Sequence, residues 1–131
     1  MIKFFSNYKV IFYSLNICLI FLYLYPGSIL GWFFYGDKNI QPQITRDFYI
    51  SSNHFYVFVL ISVIGFLTFP KQKNNKILII YLILLSLLLE IFHIFIPERT
   101  FQLSDLFGNI VGVLLVILLK SFINKYVSSQ K

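Results

Sequence analysis

Long apolar runs alternate with short polar connections along this 131-residue chain, and their length decides the fold class. A helix crossing a hydrocarbon core of about 30 Å needs about 20 residues at 1.5 Å each. Windows at about 8–25, 54–70, 77–96 and 106–123 meet or approach that length. The second is the shortest, ends at Phe69-Pro70, and could borrow apolar length from Phe48-Tyr49-Ile50. The pattern predicts an all-α polytopic membrane protein of four transmembrane helices in one domain, with a long loop between the first and second. Within that loop Ile29-Leu30-Gly31-Trp32-Phe33-Phe34-Tyr35 is too short to span, and its aromatics suit the headgroup boundary, so a re-entrant or interface-lying segment is expected.

Composition agrees with this reading. Hydrophobic residues make up 58% and charged residues 12%, against roughly 45–50% and 25% in soluble domains. The net charge of +6 would suggest nucleic acid in a soluble protein, but the basic residues sit at span ends, where topogenesis and anionic headgroups account for them. No nucleic acid partner is therefore expected; membrane lipids are. The first apolar run lacks a small-residue cleavage site and is expected to be retained as a helix. Lone Cys18 excludes an intrachain disulfide and reads as a small packing residue.

Charge asymmetry sets the expected orientation. Lys3, Lys9, Lys71, Lys73, Lys76, Lys120, Lys125 and Lys131 fall on one side, and only Lys38, Arg46 and Arg99 on the other. The positive-inside rule then places both termini in the cytoplasm. Asp37, Asp47, Glu98 and Asp105 are external, with Glu90 in the external half of the third span.

The chemistry gathers there. Glu90 and His93, three apart, share a helix face with Ser86. A carboxylate at that depth costs on the order of 2.5–3.5 kcal/mol on insertion scales, so Glu90 must face other helices or a wet cavity. Arg99 follows the Pro97-Glu98 turn and is expected to share a hydrogen-bonded network with Glu90. Ser104 or Asp105 is a plausible N-cap of the last helix. Gly108 and Gly112 make a small-residue packing face, across which Asn109 would hydrogen-bond. His54 opens the second span, with Ser62 and Gly65 deeper on its face. His54, Glu90, His93, Arg99, Asp105 and Asn109 thus form a candidate polar cluster. Two histidines and two carboxylates suffice in type for a divalent metal. A single Glu-x-x-His pair falls short of a paired motif, so neither metal nor cofactor is assigned.

The order Glu90, His93, Pro97-Glu98-Arg99, Ser104-Asp105, Asn109 and Gly112 resembles the VanZ-like membrane-protein family, and Tyr25-Pro26-Gly27-Ser28 and His54-Phe55 match its earlier landmarks. The resemblance covers about 26–118; His93 stands where that family usually has Gln, and Ile50-Ser51 where it has Asp-Lys. It implies a bacterial cytoplasmic (inner) membrane location, an envelope context and a bearing on glycopeptide antibiotic susceptibility. Three functions remain open from sequence. The chain could bind an amphiphile such as a lipid headgroup or lipid-linked precursor in an external polar pocket. It could be a small accessory subunit of a larger membrane assembly. It could also be a membrane-embedded enzyme using Glu90 and the histidines, although no nucleophile motif or phosphate loop is present.

Overall fold

In the computed structural model, which describes the backbone of residues 2–130 and the side chains of 8–71 and 74–130, the chain is all-helical, with no strand among the described residues. Its elements are α1 (Ile2–Leu24), α2 (Ile29–Tyr35), α3 (Ser52–Thr68), α4 (Gln72–Phe92) and α5 (Leu103–Ser129). By length and composition α5 and Asn74–Phe92 of α4 can cross a membrane. Tyr8–Leu24 and Ile29–Tyr35 qualify together as a third crossing if the pair, bent by 82°, is one span. At 17 residues α3 is apolar but shorter.

The helices pack through narrow stripes at helical spacing. On α1 the buried stripe is Phe12, Asn16, Leu19 and Tyr23, which leaves Cys18 exposed on the far side rather than packed as expected. Phe58, Ile61 and Phe66 of α3, Leu78, Leu82, Leu85 and Leu89 of α4, and Val113 and Val116 of α5 complete the core. The closest pairing is α3 with α5, and its cause is Gly108 and Gly112. A Cβ would lie 2.6 Å from the Ser51 carbonyl oxygen at Gly108 and 2.7 Å from that of Phe55 at Gly112. Only glycine lets two backbones approach this closely.

Helix ends differ from the expected windows for identifiable reasons. The third window was expected to run to Ile96, but α4 stops at Phe92 and continues as tight turns bonded i to i+3 through Ile96. Pro97 forces this: its ring would clash with the carbonyl of His93, and the residue before a proline avoids helical geometry. Glu90 therefore sits two residues from the end of α4, closer to the helix end than the apolar window implied. The N-cap of α5 is Gln102, not Ser104 or Asp105, and it makes no side-chain cap bond. Phe48 and Tyr49 do not lengthen α3; they are 91% and 95% exposed in the preceding loop.

The segment between α1 and α3 is tied down by its own polar groups. Ser28 Oγ accepts from Gly31 N–H at 2.9 Å and starts α2. Gly31 is buried under the returning chain, where a Cβ would overlap the Ile40 carbonyl oxygen. Asp47 Oδ1 accepts from Ser52 N–H at the head of α3 (2.7 Å), while Asn53 accepts from Ile44 N–H (2.9 Å) and donates to the Pro42 carbonyl (2.6 Å). A Lys38–Glu98 bridge of 2.7 Å ties this segment to the turn after α4.

Candidate functional site: a buried polar cluster beneath a cavity

Every long helix contributes to one polar cluster at the end of the bundle where α1 and α4 finish and α3 and α5 begin. Its centre is Asn109, fully buried because its neighbours Gly108 and Gly112 draw α5 onto α3. The Asn109 amide donates to the Ser86 carbonyl of α4 at 3.1 Å, which fixes the orientation of the group. Its oxygen accepts from the Tyr23 hydroxyl of α1 at 2.9 Å and lies 3.1 Å from His54 Nδ1 of α3. Tyr23 and His54 close the triangle at 2.9 Å. Four helices thus meet through one asparagine, and a buried hydrogen bond of this kind contributes about 1 kcal/mol net.

Glu90, also fully buried, sits beside this triangle. Its Oε1 accepts from Gln102 N–H at 2.9 Å, so the carboxylate lies against the start of α5, where the free amides of the first turn favour negative charge. Its Oε2 lies 3.1 Å from His93 Nδ1 and 4.0 Å from His54 Nδ1, yet has no aligned hydrogen bond. His93 is held from its other side, with Nε2 3.0 Å from the Tyr23 carbonyl and its ring stacked on Tyr23. Asp105, in the first turn of α5, places Oδ2 3.5 Å from His54 Nε2, and its Oδ1 accepts from Ser104 Oγ at 3.3 Å.

Arg99 stands apart from the carboxylates. Its guanidinium donates to the carbonyls of Leu22 (2.9 Å) and Tyr25 (3.2 Å), the unsatisfied end of α1. The sequence expectation is a network shared with Glu90 directly or through Asp105, Asn109 or water. Among the described residues Arg99 bonds to α1 carbonyls instead of to Glu90, Asp105 or Asn109. Arg99 and Glu90 are linked through the α1 backbone, where Arg99 holds Leu22 and His93 holds Tyr23. The carbonyls ending a helix are the strongest free acceptors in reach, and they favour a cation. Burial pulls the Arg99 guanidinium below its ordinary pKa, and the nearby Tyr23, Glu90 and Asp105 oppose that.

A cavity of about 320 Å³ opens over the cluster. Tyr23, His54, His93 and Arg99 form its polar floor. Leu19, Leu22, Leu30, Phe34 and Val57 give apolar walls, and residues 41–44 cover it. The structure therefore brings His54, Glu90, His93, Asp105 and Asn109 together and puts Arg99 outside that set, lining the cavity beside it. Tyr23, one tyrosine among nine, is a member of the cluster that the sequence pattern does not single out. The signal that could have found it is Asn16, a polar residue in an apolar run, seven residues earlier on the same helical stripe. Compared with protein-family models, curated proteins and solved structures, the chain matches none.

Proposed function

We propose that this chain is a VanZ-like protein of the bacterial cytoplasmic membrane, crossing it four times with both termini inside. In this reading the outer-face cavity binds an amphiphile, a lipid headgroup or lipid-linked precursor, by its polar end. The observation that carries the reading is the cavity's two-part lining: a floor of two histidines, a tyrosine and an arginine under walls of aliphatic and aromatic side chains. Few, convergent polar groups in a mostly apolar concavity are what fixes a ligand with one polar end and one greasy end. The guanidinium suits an anionic head, and its other donors hold α1 in place.

The four-span topology rests on the lysine asymmetry and on helix length. At 17 residues α3 is about 26 Å long, a mismatch that local thinning of a bilayer absorbs at modest cost. The envelope role rests on the residue order shared with the VanZ-like family.

Val57→Trp tests the binding directly, because it fills the cavity without replacing a hydrogen-bonded side chain. Native mass spectrometry of the protein released from mild detergent should show one retained amphiphile in the wild type and its loss in the variant. Equal retention by both would overturn the reading. If Val57→Trp and Arg99→Gln leave envelope-antibiotic susceptibility at the wild-type level while removing the amphiphile, the antibiotic part of the proposal falls and the binding part stands.

A further inference from the structure

In two places in the cluster, hydrogen-bond acceptors face each other. The triangle of Tyr23, His54 and Asn109 has one self-consistent arrangement. The Asn109 oxygen can only accept, and its orientation is fixed by the amide bonded to Ser86. The single Tyr23 hydroxyl proton goes to that oxygen. His54 Nδ1 lies within 2.9–3.1 Å of both oxygens, so it must carry the other proton. A neutral His54 then has its lone pair on Nε2, which looks at Asp105 Oδ2 at 3.5 Å.

His93 repeats the arrangement. Its Nε2 faces the Tyr23 carbonyl, which can only accept, so the proton is there and the lone pair is on Nδ1. That nitrogen lies 3.1 Å from Glu90 Oε2, the buried oxygen with no aligned hydrogen bond. Each carboxylate, moreover, has one oxygen held from behind, Glu90 by Gln102 N–H and Asp105 by Ser104 Oγ, and turns the other toward an imidazole. Imidazoles anchored through one nitrogen and carboxylates anchored through one oxygen are how proteins support metal ligands.

We propose that His54, Glu90 and Asp105 bind one first-row divalent ion of the zinc class. Their donor atoms come from three different helices and all lie within 4.8 Å of one another. Tetrahedral coordination at about 2.0–2.2 Å sets donors about 3.4 Å apart, so the side chains close in by about 1 Å on binding. Mixed imidazole and carboxylate donors suit zinc and its neighbours better than calcium or magnesium. The ion replaces the His54–Asp105 acceptor–acceptor contact with attraction and draws Glu90 Oε2 away from the His93 lone pair. Three protein ligands leave a further coordination position, and His54, in the cavity floor, gives the ion a route in. The sequence groups these residues in one candidate cluster, but Glu90–His93 is its only pair at ligand spacing; the ligand set crosses three helices that only folding brings together. This inference does not depend on the amphiphile reading, because it is tested with metal alone.

The full chain in detergent, stripped with a chelator, is titrated with Zn²⁺ by calorimetry, and Co²⁺ is added in parallel as a spectroscopic probe. One equivalent of Zn²⁺ per chain is expected, with visible Co²⁺ bands of a low-symmetry site containing imidazole. Glu90→Gln and Asp105→Asn, near-isosteric changes, should each weaken Zn²⁺ by more than about 100-fold; Asn109→Ala, which only positions His54, should weaken it about 10–100-fold. The cobalt spectrum needs no variant, so a poorly folding mutant does not block the test. No stoichiometric Zn²⁺ in the wild type, or undiminished affinity in Asp105→Asn, would overturn the proposal and leave bound protons to relieve the two contacts.

Discussion

Gly108→Ala should loosen the bundle at the point where the cluster is assembled. The added Cβ would stand 2.6 Å from the Ser51 carbonyl oxygen, about 0.8 Å short of the 3.4 Å at which ordinary contact begins. That oxygen, His54 Cβ at 3.1 Å and Phe55 N at 3.3 Å all belong to or sit directly on the α3 backbone, so α3 and α5 must part by most of that distance. A gap of about 0.5–1 Å forfeits a quarter to a half of each dispersion contact. A buried side chain makes about 40–60 of them at about 0.1–0.2 kcal/mol each. Opening the contact around Phe58 and Val113, both fully buried, therefore costs on the order of 2–3 kcal/mol. Alanine's better helix propensity returns about 1 kcal/mol, leaving a net loss of about 1–2 kcal/mol. The same displacement stretches the 3.1 Å His54–Asn109 contact out of hydrogen-bond range. Reversible unfolding in mixed detergent micelles reads the stability, with Leu118→Ala, an exposed position on the same helix, as the control. Gly108→Ala as stable as the wild type would refute the close α3–α5 approach and with it the geometry of the cluster.

Other expectations follow from the same geometry. Tyr23→Phe keeps the ring stack on His93 but removes the hydroxyl from the triangle, and should lower stability by about 1 kcal/mol in the same unfolding assay. Arg99→Lys should destabilise the end of α1 almost as much as Arg99→Met, because one ammonium does not serve both the Leu22 and Tyr25 carbonyls as a planar fork does; amide exchange at the α1 terminus measures it. The hydrogen bond to Glu98 raises the Lys38 pKa, so this tether contributes fully at neutral pH and is lost only as pH rises beyond the usual lysine value of 10.5. Exchange in the 37–40 segment should stay constant from pH 7 to about 9, once corrected for intrinsic rates, and Lys38→Ala should abolish any loosening seen above pH 10.5. In a Cys18→Ser background, an impermeant thiol reagent should label Phe48→Cys but not Ser129→Cys in intact cells, as the proposed orientation with both termini inside requires.

The run lengths in the sequence located every long helix, because apolar length is what a membrane crossing demands. Their ends were harder to place. Pro97 was visible, but its effect reaches back to His93, which shortened α4 and brought Glu90 near the helix end. The side chains of the cluster that interrupt apolar helices, Glu90 and Asn109, were legible because burial of such groups demands partners. Tyr23 was not, since a tyrosine in a tyrosine-rich apolar run raises no local contradiction. The bonds of Arg99 to α1 were also hidden, because no local pattern shows which carbonyls lie across a loop 74 residues away in sequence.

The most direct test of the central claim is photo-crosslinking from inside the cavity. A compact alkyl-diazirine amino acid, close to leucine in size and so too small to fill the cavity, is placed at Val57, on the cavity wall, and compared in membranes with the same group at Leu118, 66% exposed on α5. The account predicts one dominant amphiphile mass attached at position 57 and the mixed bulk lipids at position 118. Bulk lipid at both positions, or no adduct at 57, would contradict it.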